Sequence, residues 1–201
     1  MEPNTRRAAQ AIAAALAFTV VTQIAYLALD AGGKSEIGYP IWRLEAVLQL
    51  VVIAFGLMLV PRQPLLGGAI SASGIFNLLQ LGLGLTMFYN LGLGTEDGPE
   101  PTFFAVVGFA FFLYFAAKAL LGIAAFALGA ALWREERGPW RIVGALTALS
   151  GLAALAVNIA AMASEMELTF PAGAAGTVAT ALLALALSAA SRQGNAQLAR
   201  R

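Results

Sequence analysis

Residues 102–141 read TFFAVVGFAFFLYFAAKALLGIAAFALGAALWREERGPWR. From Thr102 to Trp133 the run is apolar apart from Thr102, Tyr114 and one charge, Lys118. A helix rises about 1.5 Å per residue, so roughly 20 apolar residues cross the hydrocarbon of a bilayer. This run has that length with turns to spare. It closes on Trp133-Arg134, and the chain restarts at Gly138-Pro139-Trp140-Arg141. Tryptophan beside arginine is an interfacial anchor, and two such pairs flank one short turn. The segment therefore predicts a helical hairpin of membrane spans with its bend on the arginine side.

The same logic extends in both directions. Spans are expected at about 8–29, 41–60, 65–89, 102–133, 140–163 and 168–190. Together they make an all-α, polytopic membrane bundle of six transmembrane helices in a single domain, 1–190, with a flexible polar tail at 191–201. Proline accounts for several boundaries, because it lacks the amide hydrogen a helix interior needs: Tyr39-Pro40 opens the second span and Pro61-Arg62-Gln63-Pro64 turns the second into the third. Arg6 and Arg7 before the first span resemble a signal n-region, but Ala8 to Leu29 is longer than a signal's apolar core and reads as a retained helix. The repeated Leu-Gly-Leu-Gly of residues 81–84 and 91–94 suggests flexibility at the far end of the third span.

The charges outside the spans sort by side. Arg6, Arg7, Arg62, Arg134, Arg137, Arg141, Arg192, Arg200 and Arg201 lie in the tails and the alternate turns on one side, against Lys34 and Arg43 on the other. The acids run oppositely, with Asp30, Glu36, Glu45, Glu96, Asp97, Glu100, Glu165 and Glu167 on the arginine-poor side. The positive-inside rule then puts both termini in the cytoplasm, with the bacterial inner membrane as the expected location.

Composition narrows the chemistry. Of 201 residues, 60% are hydrophobic and 11% charged, against about 25% charged in soluble domains. There is no cysteine and no histidine, so disulfides, thiolate catalysis and the usual haem and zinc ligands are excluded. No catalytic residue, metal or cofactor is expected. A net charge of +1 offers no field for nucleic acid. Membrane lipids are the expected partners, with a homo-oligomer or a larger membrane complex as further ones. The many glycines and alanines read as helix-packing faces.

Polar residues at membrane depth are the informative ones. Counted along alternating spans, Gln23, Tyr26, Glu45, Gln49, Asn158 and Thr177 fall in the outer half, with Asn77, Gln80 and Lys118 near the middle. The inner halves are almost wholly aliphatic, which predicts an outward-facing pocket above a dry plug. The candidate ligand-binding residues are Glu45, Lys118, Gln49, Asn77, Gln80, Asn158, Gln23, Tyr26 and Tyr114. Lys118 is the sharpest, because a lysine at a helix centre costs about 2.5–3.5 kcal/mol on insertion scales and normally faces inward and pairs. Glu45 is the preferred partner and Asp30 the reserve. The competing reading lets Lys118 snorkel to the outer interface and gives Glu45 to Arg43. The amides also suit interhelical hydrogen bonding.

Six spans in about 200 residues, a basic inner turn from Trp133-Arg134 to Pro139-Trp140-Arg141, and Arg43-Leu44-Glu45 opening the second span make the layout resemble bacterial six-helix proteins of the domain of unknown function 4386 family. That resemblance implies a class of membrane bundle and no mechanism.

The least demanding expectation is a structural, accessory or sensing bundle. The alternative is a protein that binds or transports a small molecule, lipid or ion in a pocket around Glu45 and Lys118. An intramembrane enzyme is disfavoured by the missing histidine and cysteine. A water-accessible polar cavity separates binding from structure; a collapsed, fully paired cluster would argue the reverse.

Overall fold

Among the described residues proline opens four of six α-helices: α1 (Pro3–Ala31), α3 (Pro64–Leu83), α4 (Pro101–Glu135) and α5 (Pro139–Ala163). Its fixed φ and missing amide hydrogen suit the first helical turn, where that hydrogen has no partner. The other two helices are α2 (Gly38–Leu59) and α6 (Thr169–Leu198). The computed structural model describes residues 2–31, 38–93, 101–164 and 167–198, and no strand occurs among them. All six helices are long and apolar enough to cross a membrane. Their outer faces carry large apolar side chains, among them Val21, Leu27, Leu50, Phe104, Ile142, Leu149 and Phe170. Soluble proteins rarely expose contiguous apolar surface on this scale, so the bundle is compatible with an integral membrane protein.

Several elements run past the spans expected from hydropathy. α1 begins at Pro3, ahead of Ala8. α6 continues to Leu198, so residues 191–198 are helical where a flexible tail was expected; the buried Ser191 hydroxyl donates to the Ser188 carbonyl at 2.8 Å. The third span does not stop at its glycines. It widens into a π-helix, Gly84–Leu93, in which the Thr86 hydroxyl donates to the Gly82 carbonyl at 2.7 Å and the Asn90 amide to the Thr86 carbonyl at 3.0 Å. Short π segments inside helices often mark functional sites.

Neighbour relations define the architecture. α1 packs on α2 and α6, α2 on α3, α3 on α4, and α4 on both α5 and α6. Helices α1, α2, α3, α4 and α6 thus close a ring, and α5 lies outside it in the groove between α4 and α6. Glycine sets the tightest contact. Gly122 faces Gly151 and Gly129 faces Gly144 across the α4–α5 seam. A Cβ on Gly122 would come within 2.7 Å of the Gly151 carbonyl oxygen, and one on Gly129 would overlap the Ala148 backbone nitrogen. Without hydrophobic drive between helices in lipid, such close backbone approach supplies the packing. Gly138 serves differently: its φ of 63° lies in the left-handed region and turns the chain into Pro139.

The bundle is two-tiered along its axis. At the arginine end the interior is filled by Ile12, Leu16, Val52, Leu59, Ile70, Leu121, Leu183 and Leu187, all essentially inaccessible. This is the dry plug. The buried polar side chains Glu45, Gln49, Asn77 and Lys118 sit on the other side of it.

Candidate functional site

α1 supplies two adjacent polar residues to the interior, Thr22 and Gln23. The Thr22 hydroxyl lies 2.6 Å from Glu45 Oε1 on α2 and donates to it, with the Thr19 carbonyl 2.9 Å away as a competing acceptor. Gln23 Oε1 accepts two bonds, one from the Lys118 ammonium on α4 at 3.1 Å and one from the Thr177 hydroxyl on α6 at 3.0 Å. α1 and α4 are not packed neighbours, so the Lys118–Gln23 bond crosses the inside of the ring. Three helices, α2, α4 and α6, are tied to one turn of α1.

Lys118 is 1% exposed, which rules out the snorkelling alternative. Its position depends on a missing side chain: a Cβ on Gly176 would come within 2.7 Å of Lys118 Cδ and 3.0 Å of its Cβ. The aliphatic stem therefore lies flat against the α6 backbone. The ammonium sits 5.3 Å from the centroid of the Tyr114 ring, within cation–π range. A cation buried in hydrocarbon needs such partners, because the cost of stripping its water is several kcal/mol.

The expected ion pair does not form. Lys118 bonds Gln23, Glu45 bonds Thr22, and no direct ion pair joins the two charges. The physical reason is that α1 offers each charge a neutral partner of its own. Arg43, the other candidate partner of Glu45, points to the exposed surface. Asp30, the reserve for Lys118, has a side chain outside the described residues, as do Lys34, Glu36, Glu96, Asp97, Glu100 and Glu165 of the acidic turns.

The remaining candidates divide. Gln49 and Asn77 are buried on facing helices. The two helices approach closely at Gly74, whose Cβ would lie 3.4 Å from the Gln49 carbonyl oxygen. Among the described residues neither side-chain amide has a hydrogen-bond partner, and the fully buried Ser73 hydroxyl one turn from Asn77 has none either. Gln80 is half-buried a turn further along α3. Asn158 stands apart: its amide nitrogen donates to the Ala154 carbonyl at 2.8 Å and the Ala172 carbonyl at 3.2 Å, tying α5 to α6 outside the ring. Its Oδ1 is buried without a partner.

Tyr26 belongs to an aromatic layer above the polar tier. Its ring lies 5.9 Å from Trp42, which also meets Tyr39 at 5.7 Å and Phe88 at 6.0 Å; Phe88 meets Phe103 at 5.8 Å. Trp42 stacks over the π-helix because Gly84 leaves room; a Cβ there would come within 3.0 Å of the indole. The polar tier is thus enclosed between an aliphatic plug and an aromatic cover.

Sequence reasoning missed Thr22 and the aromatic cover. Thr22 shares the face of Thr19 and Tyr26 at steps of three and four, so its stripe was visible. Comparison of the chain with family models, with curated proteins and with solved structures yields no match.

Proposed function

We propose that the protein is a multi-pass protein of the bacterial inner membrane, with both termini cytoplasmic, that binds a small polar solute reached from the outer face. One observation carries this reading. A buried ammonium and a buried carboxylate are held in the same tier by neutral caps rather than by each other. A purely structural pair would gain from direct contact, because mutual attraction offsets part of both desolvation costs. Here each charge keeps hydrogen-bonding capacity in reserve, and α2 and α3 bury Gln49 and Asn77, with no hydrogen bond among the described residues, and the unpartnered Ser73 hydroxyl. Ionisable groups at membrane depth are rare and mark substrate or ion pathways by default. The arginine distribution supports the orientation that leaves the plug on the cytoplasmic side.

The layout shared with the domain of unknown function 4386 family fits this placement and adds no chemistry. No catalytic step enters the proposal. The competing account, a structural or accessory bundle, is favoured by the glycine seam between α4 and α5, which needs no ligand. The test is to extract the protein in native lipid, denature it, and identify released small molecules by mass spectrometry. Wild type should release a polar solute that Lys118→Met and Glu45→Gln preparations lack. The same spectrum from all three would favour the structural account.

A further inference from the structure

Charge balance narrows what this tier can hold. Among the described residues, Glu45 and Lys118 are the buried acid and the buried base. The tier therefore carries one charge of each sign inside a low-dielectric surround. A lone cation drawn to Glu45 would add to the Lys118 charge, and a lone anion drawn to Lys118 would add to that of Glu45. Either leaves an uncompensated charge in the membrane, which is the most costly arrangement there. A net-neutral solute carrying both signs satisfies both residues at once.

Geometry agrees. The caps of the two charges, Thr22 and Gln23, are successive residues of α1. Glu45 from α2 and Lys118 from α4 are therefore bound at one level of the bundle. The unpartnered Gln49 and Asn77 amides and the Ser73 hydroxyl are suited to the uncharged edges of a solute. Trp42 lies one turn from Glu45 along α2, in the aromatic cover. Aromatic faces suit an alkylated ammonium.

Resting on the binding reading above, we propose that the solute is a small zwitterion with its two charges close together, of the free α-amino acid or betaine class. Its carboxylate sits on Lys118 with the neighbouring amides, and its ammonium on Glu45 beneath the aromatic cover.

The experiment is equilibrium binding to the full chain in lipid nanodiscs. The probes are a panel of radiolabelled α-amino acids and trimethylglycine, competed by acetate, methylammonium and erythritol. At least one zwitterion should bind saturably, and acetate and methylammonium should each compete at least about tenfold more weakly. Removing one charge should switch the preference. Lys118→Met should favour methylammonium over acetate, and Glu45→Gln should favour acetate over methylammonium; a packing role alone would move neither. Acetate or methylammonium binding wild type as tightly as any zwitterion would overturn the proposal, as would no zwitterion binding at all. These wild-type comparisons decide the matter even if the variants fail to fold. Saturable erythritol or single-ion binding that Lys118→Met abolishes would sink the zwitterion and leave the binding site standing. With no probe bound and no solute released from the native protein, both fall.

Discussion

Lys118 gives up its water for one amide oxygen, one aromatic face and a groove made by Gly176. Hydrogen bonds to charged groups contribute about 1.5–3 kcal/mol, so Gln23→Leu should lower stability by that order, read by thermal unfolding in detergent. Combined with Lys118→Met, the double variant should lose less than the sum, with a coupling of about 1 kcal/mol. The same cycle between Lys118 and Glu45 should show weaker coupling, because they do not touch. Equal coupling in both cycles would mean that Gln23 is not the partner. Thr22→Val should destabilise by about 1–3 kcal/mol, since it leaves a buried carboxylate without its donor. The place of Lys118 within an apolar span was legible from the sequence; its burial was not, because snorkelling to the outer interface fitted the same run. Nor was its partner. Charge complementarity pointed to Glu45, whereas the choice of Gln23 depends on which helices face each other across the ring.

At the scale of elements, glycine has two roles that the sequence does not distinguish. Gly129 meets α5 backbone where a Cβ would stand, whereas Gly82 and Gly108 have nothing within 4 Å. Gly129→Leu should therefore cost about 1–3 kcal/mol by overpacking. Gly82→Ala or Gly108→Ala should be neutral, or stabilising by up to about 1 kcal/mol from helix propensity. Thermal melts of the three variants check this, and a harmless Gly129→Leu would contradict the close α4–α5 seam. Span positions were readable because apolar length and proline mark them. The π-helix after Leu83 was not: its glycines read as breakers, yet Gly84 instead makes room for Trp42, a contact between segments far apart in the chain. The helical continuation to Leu198 was likewise hidden, because residues 191–198 are polar and hydropathy tracks the membrane rather than the helix.

For the whole molecule, the division into aliphatic plug and polar tier follows from where polar residues fall along alternating spans. That much was visible in the sequence as a one-sided cluster. Ring closure was not, since it requires α6 to return to α1 and α4 to reach past α5. Asn158 shows the limit: its depth matched the cluster, but α5 lies outside the ring and the side chain bonds α6 instead. The chain has no cysteine, so a single introduced thiol reports its own surroundings. The most direct measurement places one at Asn77, and one at Ile70 as a control in the plug, and treats sealed right-side-out vesicles with a small membrane-impermeant thiol reagent. The account predicts that the Asn77 thiol reacts from outside, faster when Trp42→Ala opens the cover, while the Ile70 thiol stays unmodified. An Asn77 thiol that reacts only from the cytoplasmic side, or from neither side, would contradict it.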